Sequence, residues 1–571
     1  MDRITKQDIP KSSNGWKIAS YISFVVILGL IVLNVIPRSG KKKVFDISIA
    51  VLPFINNSPD AENEYVINGY RAAIHDKLCR IEDLRVLALL STQQYQEFQK
   101  PDHEIARELH VGYLLDANGQ VLGNQIRLIV QLMDEDANVI WSNSYDRQIS
   151  GVQDHIEIQS DIAQKVAGQI GVIISPVKKQ LMDKVPTTNL TAYDLILQAQ
   201  KYFDQYTLTK DRDFLERVNQ LCKLALDLDP DFALAYYWLG KSALSERTED
   251  YMMGSLIPFY LDTALFFFNK ALELDPDLPE AYAERGIYYF EKAQMPQAIE
   301  ALKKAISLSP NNPTACMKSG SVYYYSRDYI NALIHLRKAE TLIRSDNMLI
   351  PLYRDLFFLY ASIGDWEKTE SAVKKLIQIH PQYGLVAKMF VLSAKGTYTE
   401  LLQAAEKFTD HYPDNKYGYG FKARSLLHLG RIQEAEDCIR TTLQFGEPDR
   451  NIVHRVGIVL WMNGKRDMAM EYFNLQIDYC KESIDSKDPY GQLNAAYDLA
   501  GVYAFLDRKK EAIRWLREYE RLGFTSGMQE YIKTDLLFDK LRNDEMFKEI
   551  VSRANEKAAA LRAEMQEMEV Y

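Results

Sequence analysis

Few residues in this chain are spaced for chemistry. "HEIARELH" places His103 and His110 seven residues apart, two helical turns, instead of the i, i+4 spacing that lets a helix grip a metal. The acids of "DLDPD" (227–231) and "ELDPD" (273–277) resemble calcium ligands, but no twelve-residue loop with its glycine and final Glu surrounds them. The five cysteines, Cys79, Cys222, Cys316, Cys438 and Cys480, are odd in number, far apart and without a CxxC, so neither a disulfide framework nor a zinc site is expected. GxxxxGK[ST], HExxH, GxSxG and Gly-rich dinucleotide loops are all absent. The expectation is a non-enzyme with no catalytic, metal or cofactor site.

What remains is recognition chemistry. Tyrosine is plentiful, 35 in 571 residues. Set in the helical repeats described next, Tyr237, Trp238, Glu284, Glu291, Met317, Lys318, Tyr324, Tyr325, Arg354 and Phe358 fall on first helices, facing an inner groove. Aromatic rings beside mixed charges suit an extended peptide or a partner helix, since Tyr and Trp anchor contacts at low entropic cost. A protein or peptide partner is therefore expected on that groove. Tyr289, Tyr323 and Tyr360 read as repeat core instead.

The elements that would position these residues show a period. Ala264, Ala298 and Ala332 are 34 apart, as are Ala271, Ala305 and Ala339, Gly286 and Gly320, and Pro276 and Pro310. A 34-residue interval, with small residues at helix crossings and proline at the repeat end, is the tetratricopeptide signature. "PEAYAERGIYYFEKAQMPQAIEALKKAISLSP" (279–310) shows it best, and weaker copies continue to about residue 545. One upstream repeat is stretched around "SERTEDYMMGSL". Eight or nine repeats over 190–545 predict an all-α solenoid with a concave face, followed by a C-terminal helix over 546–571 that caps it and projects.

Residues 48–175 read differently. "SIAVLPF" and "LRVLAL" are buried strands, "EYVINGYRAAIHDKLCRI" and "HEIARELH" have helical spacing, and "GYLLDANGQVL", "QIRLIVQLM" and "NVIWSNSYDRQI" form a meander closed by a helix near Ile174. This predicts a small α/β domain with a mixed sheet. Its strands, "NGY" at Asn68–Tyr70, "LRVLALLSTQQY" and "QIRLIVQLMDEDANVIWSNSYDR" resemble the bacterial TolB amino-terminal-like or FlgO-like domain found upstream of tetratricopeptide arrays. The resemblance covers about 44–175. It departs in the first helix, where Gly69 is followed by Tyr70, Arg71, Ala72 and Ala73, not by the family's usual acids. It implies a place between a membrane span and the repeats, in relatives that carry winged-helix or cyclase output domains.

Such a span is expected at 18–37, "IASYISFVVILGLIVLNVIP", twenty residues without a charge, between a basic segment at 1–17 and a linker at 38–47. Residues 1–43 carry a net charge of +6, leaving −16 on the rest of a chain whose formal charge is −10. An acidic body argues against nucleic acid as a partner. Basic residues balance across the span, so the charge rule does not orient it; the resemblance implies a single-pass inner-membrane protein with a periplasmic body. Seventeen residues before the span leave no room for an output domain. Two functions follow: a membrane-anchored scaffold holding protein partners on its groove, or a sensor and relay whose output domain is a separate protein.

Overall fold

The computed structural model describes residues 47–96, 100–245, 258–446, 453–485, 489–523 and 532–570. Its N-terminal unit is built on a six-stranded sheet: β1 (Ser48–Val51), β2 (Ile55–Asn56), β3 (Arg85–Val86), β4 (Tyr113–Leu122), β5 (Gln125–Asp134) and β6 (Val139–Gln148). The order is β3-β1-β4-β5-β6, with β2 pairing β4. β1 runs parallel to both neighbours, whereas β4, β5 and β6 form an antiparallel meander. After Ser48, β1 is apolar because both of its faces are covered. Ile49 and Val51 meet helices α1 (Glu64–Cys79) and α3 (Val152–Ile170), while Ala50 meets α2 (Asp102–Leu109) on the other side. Gly123, at φ 56, turns β4 into β5 within two residues. The mixed-sheet domain is present as expected, with its closing helix ending at Ile170.

A short helix, α4 (Pro176–Met182), leads into nine antiparallel helix pairs among the described residues. The first three are α5 (Leu190–Thr209) with α6 (Asp213–Leu228), α7 (Ala233–Ser245) with α8 (Pro258–Leu274), and α9 (Pro279–Glu291) with α10 (Met295–Leu308). Next come α11 (Pro313–Tyr325) with α12 (Tyr329–Leu342), α13 (Asp346–Ile363) with α14 (Trp366–Ile379), and α15 (Pro381–Ala394) with α16 (Tyr398–His411). The last are α17 (Lys416–His428) with α18 (Ile432–Gln444), α19 (Val453–Met462) with α20 (Arg466–Asp485), and α21 (Pro489–Phe505) with α22 (Lys509–Arg521). α11 and α15 open on proline at the first turn behind a capping side chain; Asn312, for example, accepts from the Ala315 N–H at 2.9 Å. The 34-residue period is visible as repeated contact. A Cβ on Gly286 would stand 2.6 Å from Leu302 Cγ, and one on Gly320 would stand 2.5 Å from Leu336 Cγ.

Past the ninth pair, a 3-10 turn (Leu536–Leu541) precedes α23 (Glu545–Val570). α23 does not project. It leaves α22, and its second half lies on α12 and α13, with Met565 1% exposed inside their cluster and Arg562 donating to the Ile363 carbonyl.

The expected transmembrane helix and single-pass inner-membrane placement are corrected. Among the described residues no helix is long and apolar enough to cross a membrane, and residues 18–37 lie outside the described residues. α23, at 26 residues, has the length but carries ten Asp, Glu, Lys or Arg residues, which a hydrocarbon layer would not accept.

Candidate functional site: the inner face of the solenoid

First helices pack on the first helix of the next pair from α5 through α13 and from α15 to α17, with the Phe357, Phe358 and Phe390 rings joining α13 to α15, and so form an inner layer. Its N-terminal stretch is covered by the chain's own α/β unit. Tyr65 on α1 donates to Asp194 on α5 at 2.6 Å, and a Cβ on Gly69 would meet Leu197 Cδ2 at 3.0 Å, so α1 and α5 lie close. Tyr70, His155 and Tyr193 form a buried polar stack across the joint, with Tyr70 OH 2.8 Å from His155 Nδ1. Arg71 is buried. It donates to Gln93, to Thr92 and to the Leu89 carbonyl, fastening α1 to the loop after β3. Burial lowers its guanidinium to about 10.

Further hydrogen bonds tie the loops of this unit to the edge of the solenoid. Asn311 Nδ2 donates to the Ile81 carbonyl at 2.7 Å, and the Ala88 N–H donates to the Leu342 carbonyl at 2.8 Å. The Arg344 N–H donates to Ser91 Oγ at 2.9 Å, and Lys178 Nζ donates to the Ser307 carbonyl at 2.9 Å.

Several expected groove residues are therefore structural in part. Tyr237 and Trp238 are buried, and the Tyr237 hydroxyl accepts from Lys241 Nζ at 3.0 Å. Lys241 lies 3.7 Å from Glu284. Burial alone would lower Lys241, but Tyr237, Glu284 and Asp204 around it reverse that and raise it. Met317 and Tyr324 are buried, the latter with its hydroxyl 3.1 Å from Ser362 Oγ. Glu291, Lys318, Tyr325, Arg354 and Phe358 keep part of their surface in water. Arg354 forks onto Asp355 at 2.8 and 2.9 Å. On consecutive first helices the rings approach in turn: Phe290 and Tyr325 at 5.2 Å, then Phe358 and Phe390 at 6.5 Å. Tyr383 and Phe390 extend the series beyond the residues expected from sequence.

The C-terminal stretch winds around the segment that follows α22. Asp535, fully buried, accepts both fork nitrogens of Arg455 at 2.7 Å and the Tyr497 hydroxyl at 2.8 Å. Burial would raise its carboxyl, but Arg455 and Arg424 hold it well below the usual carboxylate range. Breaking one side of such a buried pair costs about 3–5 kcal/mol. Beside it, His428 stacks on Tyr398 at 3.7 Å, and burial lowers His428 to about 3. These groups were missed from sequence, although the frame that places Arg354 inward also reaches Arg424 and Arg455.

A tetratricopeptide-repeat family model matches residues 279–312, and the chain carries repeats of this kind. A protein of Rhizobium meliloti (strain 1021) named "Putative adenylate cyclase 3" is 25% identical over 236 residues, 41% of this chain; the chain spans 39% of that relative's length. Among solved structures, PilW, described as a widely conserved type IV pilus biogenesis factor, aligns at 14% identity over 40% of this chain and 97% of its own, with TM-score 0.33. A tetratricopeptide repeat protein of Parabacteroides merdae ATCC 43184 aligns at 15% identity over 53% of this chain and 100% of its own, with TM-score 0.28.

Proposed function

We propose that this protein is a non-catalytic interaction scaffold whose inner face holds an extended segment of a protein partner between Glu291 and Phe390. The observation that carries this reading is the run of half-exposed rings on successive first helices, Tyr325, Phe358 and Phe390, flanked by Lys318 and Arg354. Rings held rigid by neighbours lose little entropy on contact, and the cations add direction. To either side the face is already in use, by α1 at one end and by the Asp535 segment at the other. A photo-crosslinking residue at Tyr325 or Phe358 in the full chain should yield one recurring adduct in the native cell. The same residue at Leu224, exposed on α6, should not. Equal adducts at all three positions, or none at the inner two, would remove the reading.

A second reading is a relay component whose output domain is a separate protein. It is supported by the resemblance of residues 44–175 and by the name of the Rhizobium meliloti relative. The hydrogen bonds that join the α/β unit to the edge of the solenoid would carry its state to the array. Asn311→Ala, which unties one of these bonds, should then shift cyclic-nucleotide level or transcription in the native cell; a null effect on both would remove this reading.

A further inference from the structure

The segment after the ninth pair crosses the inner face as a bound peptide would. The Thr534 carbonyl accepts from the Tyr398 hydroxyl on α16 at 3.3 Å. Asp535, fully buried, takes both fork nitrogens of Arg455 on α19 and the hydroxyl of Tyr497 on α21. Leu537 seats on Gly501 of α21, where an added Cβ would stand 2.7 Å from Leu537 Cδ1, and the Phe538 ring lies 5.3 Å from that of Tyr497. Residues 534–538 thus touch helices of the sixth, eighth and ninth pairs. An end cap needs only to cover the apolar side of the last pair; a carboxylate carried back to the eighth is more than capping requires.

The fit is incomplete at Leu536. This side chain lines a cavity of about 170 Å³ together with Leu427 and, from α19, Ile458 and Val459. A water-sized group needs roughly 10–15 Å³ on this measure, so room remains for several heavy atoms beyond the leucine. Walls that face a void forgo the dispersion contacts that a larger side chain would make. The chain's own segment therefore satisfies the polar half of the seat and underfills the apolar half.

We propose that this is a peptide-docking seat held closed by residues 534–538, and that its partner presents an acidic residue, then a large aromatic one, then two apolar residues. The guanidinium N–H groups of Arg455 and the Tyr497 hydroxyl converge on a carboxylate, which a neutral amide would not replace. A ring in place of Leu536 fills the cavity and gives the partner its advantage over the resident segment. That advantage is needed, because occupancy by the chain's own residues weakens an outside ligand in proportion to the fraction of molecules that are open. The seat is separate from the one between Glu291 and Phe390 and does not rest on it.

The test is fluorescence anisotropy on the full chain with labelled peptides of residues 532–541: one unaltered, one carrying Leu536→Trp, and one carrying Leu536→Trp with Asp535→Asn. The chain variant Leu537→Ala, which loosens the resident segment at Gly501, should bind the Leu536→Trp peptide at least about tenfold more tightly than the parent chain does. On that variant, adding Asp535→Asn to the peptide should weaken binding at least about tenfold, and the unaltered peptide should bind more weakly than the Leu536→Trp one. Should Leu537→Ala fail to fold, the same peptides on the parent chain decide, and a preference for both the acid and the ring upholds the proposal. Equal binding by parent and folded variant, indifference to either change in the peptide, or no binding to a folded chain at about 1 mM would each overturn it.

Discussion

Asp498 and His454 lie 3.9 Å apart, and each is uncharged for the same reason: burial away from water. Their contributions to stability run in opposite directions. The folded chain keeps the Asp498 proton up to about pH 8, whereas an unfolded carboxyl releases it near its ordinary value of about 3.9. Stability from this group is therefore lost as pH rises through that window. His454 titrates at about 3 when folded and near 6.5 when unfolded, so its contribution is lost as pH falls from 6.5 to 3. Between pH 6.5 and 8 only Asp498 of the two is titrating. Asp498→Asn should remove a decline in stability of up to about 1.4 kcal/mol per pH unit there, read as urea midpoints along a pH series. Parallel curves for parent and variant would count against it. None of this was legible in "AAYDLAGVYAF", because the neighbours that enclose Asp498, Gln476 and His454, come from the preceding helix pair. The inner-face aromatics were legible, since first-helix positions follow from the repeat frame. Which of them remain in water was not.

At the scale of elements, the period came through and the fine boundaries did not. "LRVLAL" reads as a six-residue buried strand, yet β3 is only Arg85–Val86. The Leu87 N–H still reaches Ile49 at 3.0 Å, but the Ala88 N–H turns to Leu342, so the solenoid ends the strand. The glycines at helix crossings also differ in a way that a residue pattern does not display. At Gly286 the obstacle to a Cβ is the far part of Leu302, whereas at Gly384 it is the backbone of Ile377, with its N at 2.3 Å. Leucine can swing and a helix backbone cannot. Gly286→Ala should cost about 1–3 kcal/mol, and Gly384→Ala visibly more, measured by urea unfolding of the full chain. The reverse order would show that the helix pairs slide more easily than their side chains turn.

For the whole molecule, the sequence revealed a helical array behind a small α/β unit, but not that both ends return onto the array. α23 looks weakly amphipathic by itself, and only the exposed apolar edge of the fourth and fifth pairs explains where Met565 goes. Met565→Asp should free the second half of α23 without unfolding the array. Hydrogen exchange should then rise at Tyr329–Leu336 and Leu359–Ile363 and stay unchanged in β1–β6. Unchanged exchange at both segments would mean that α23 adds nothing to holding the ring of contacts closed.

The bonds from Arg85 to Thr341 and from Ala88 to Leu342 join positions about 256 residues apart in the chain. At ribosomal speeds of about 5–20 residues per second, the docking edge for the α/β unit emerges roughly 13–50 s after Arg85 itself. During that interval α1 can already lie on α5, but the loop around Ala88 has no solenoid edge to meet. A nascent chain stalled before residue 313 would therefore hold the α/β unit on α5 alone, with the Ala88 N–H lacking the Leu342 carbonyl it meets in the finished protein.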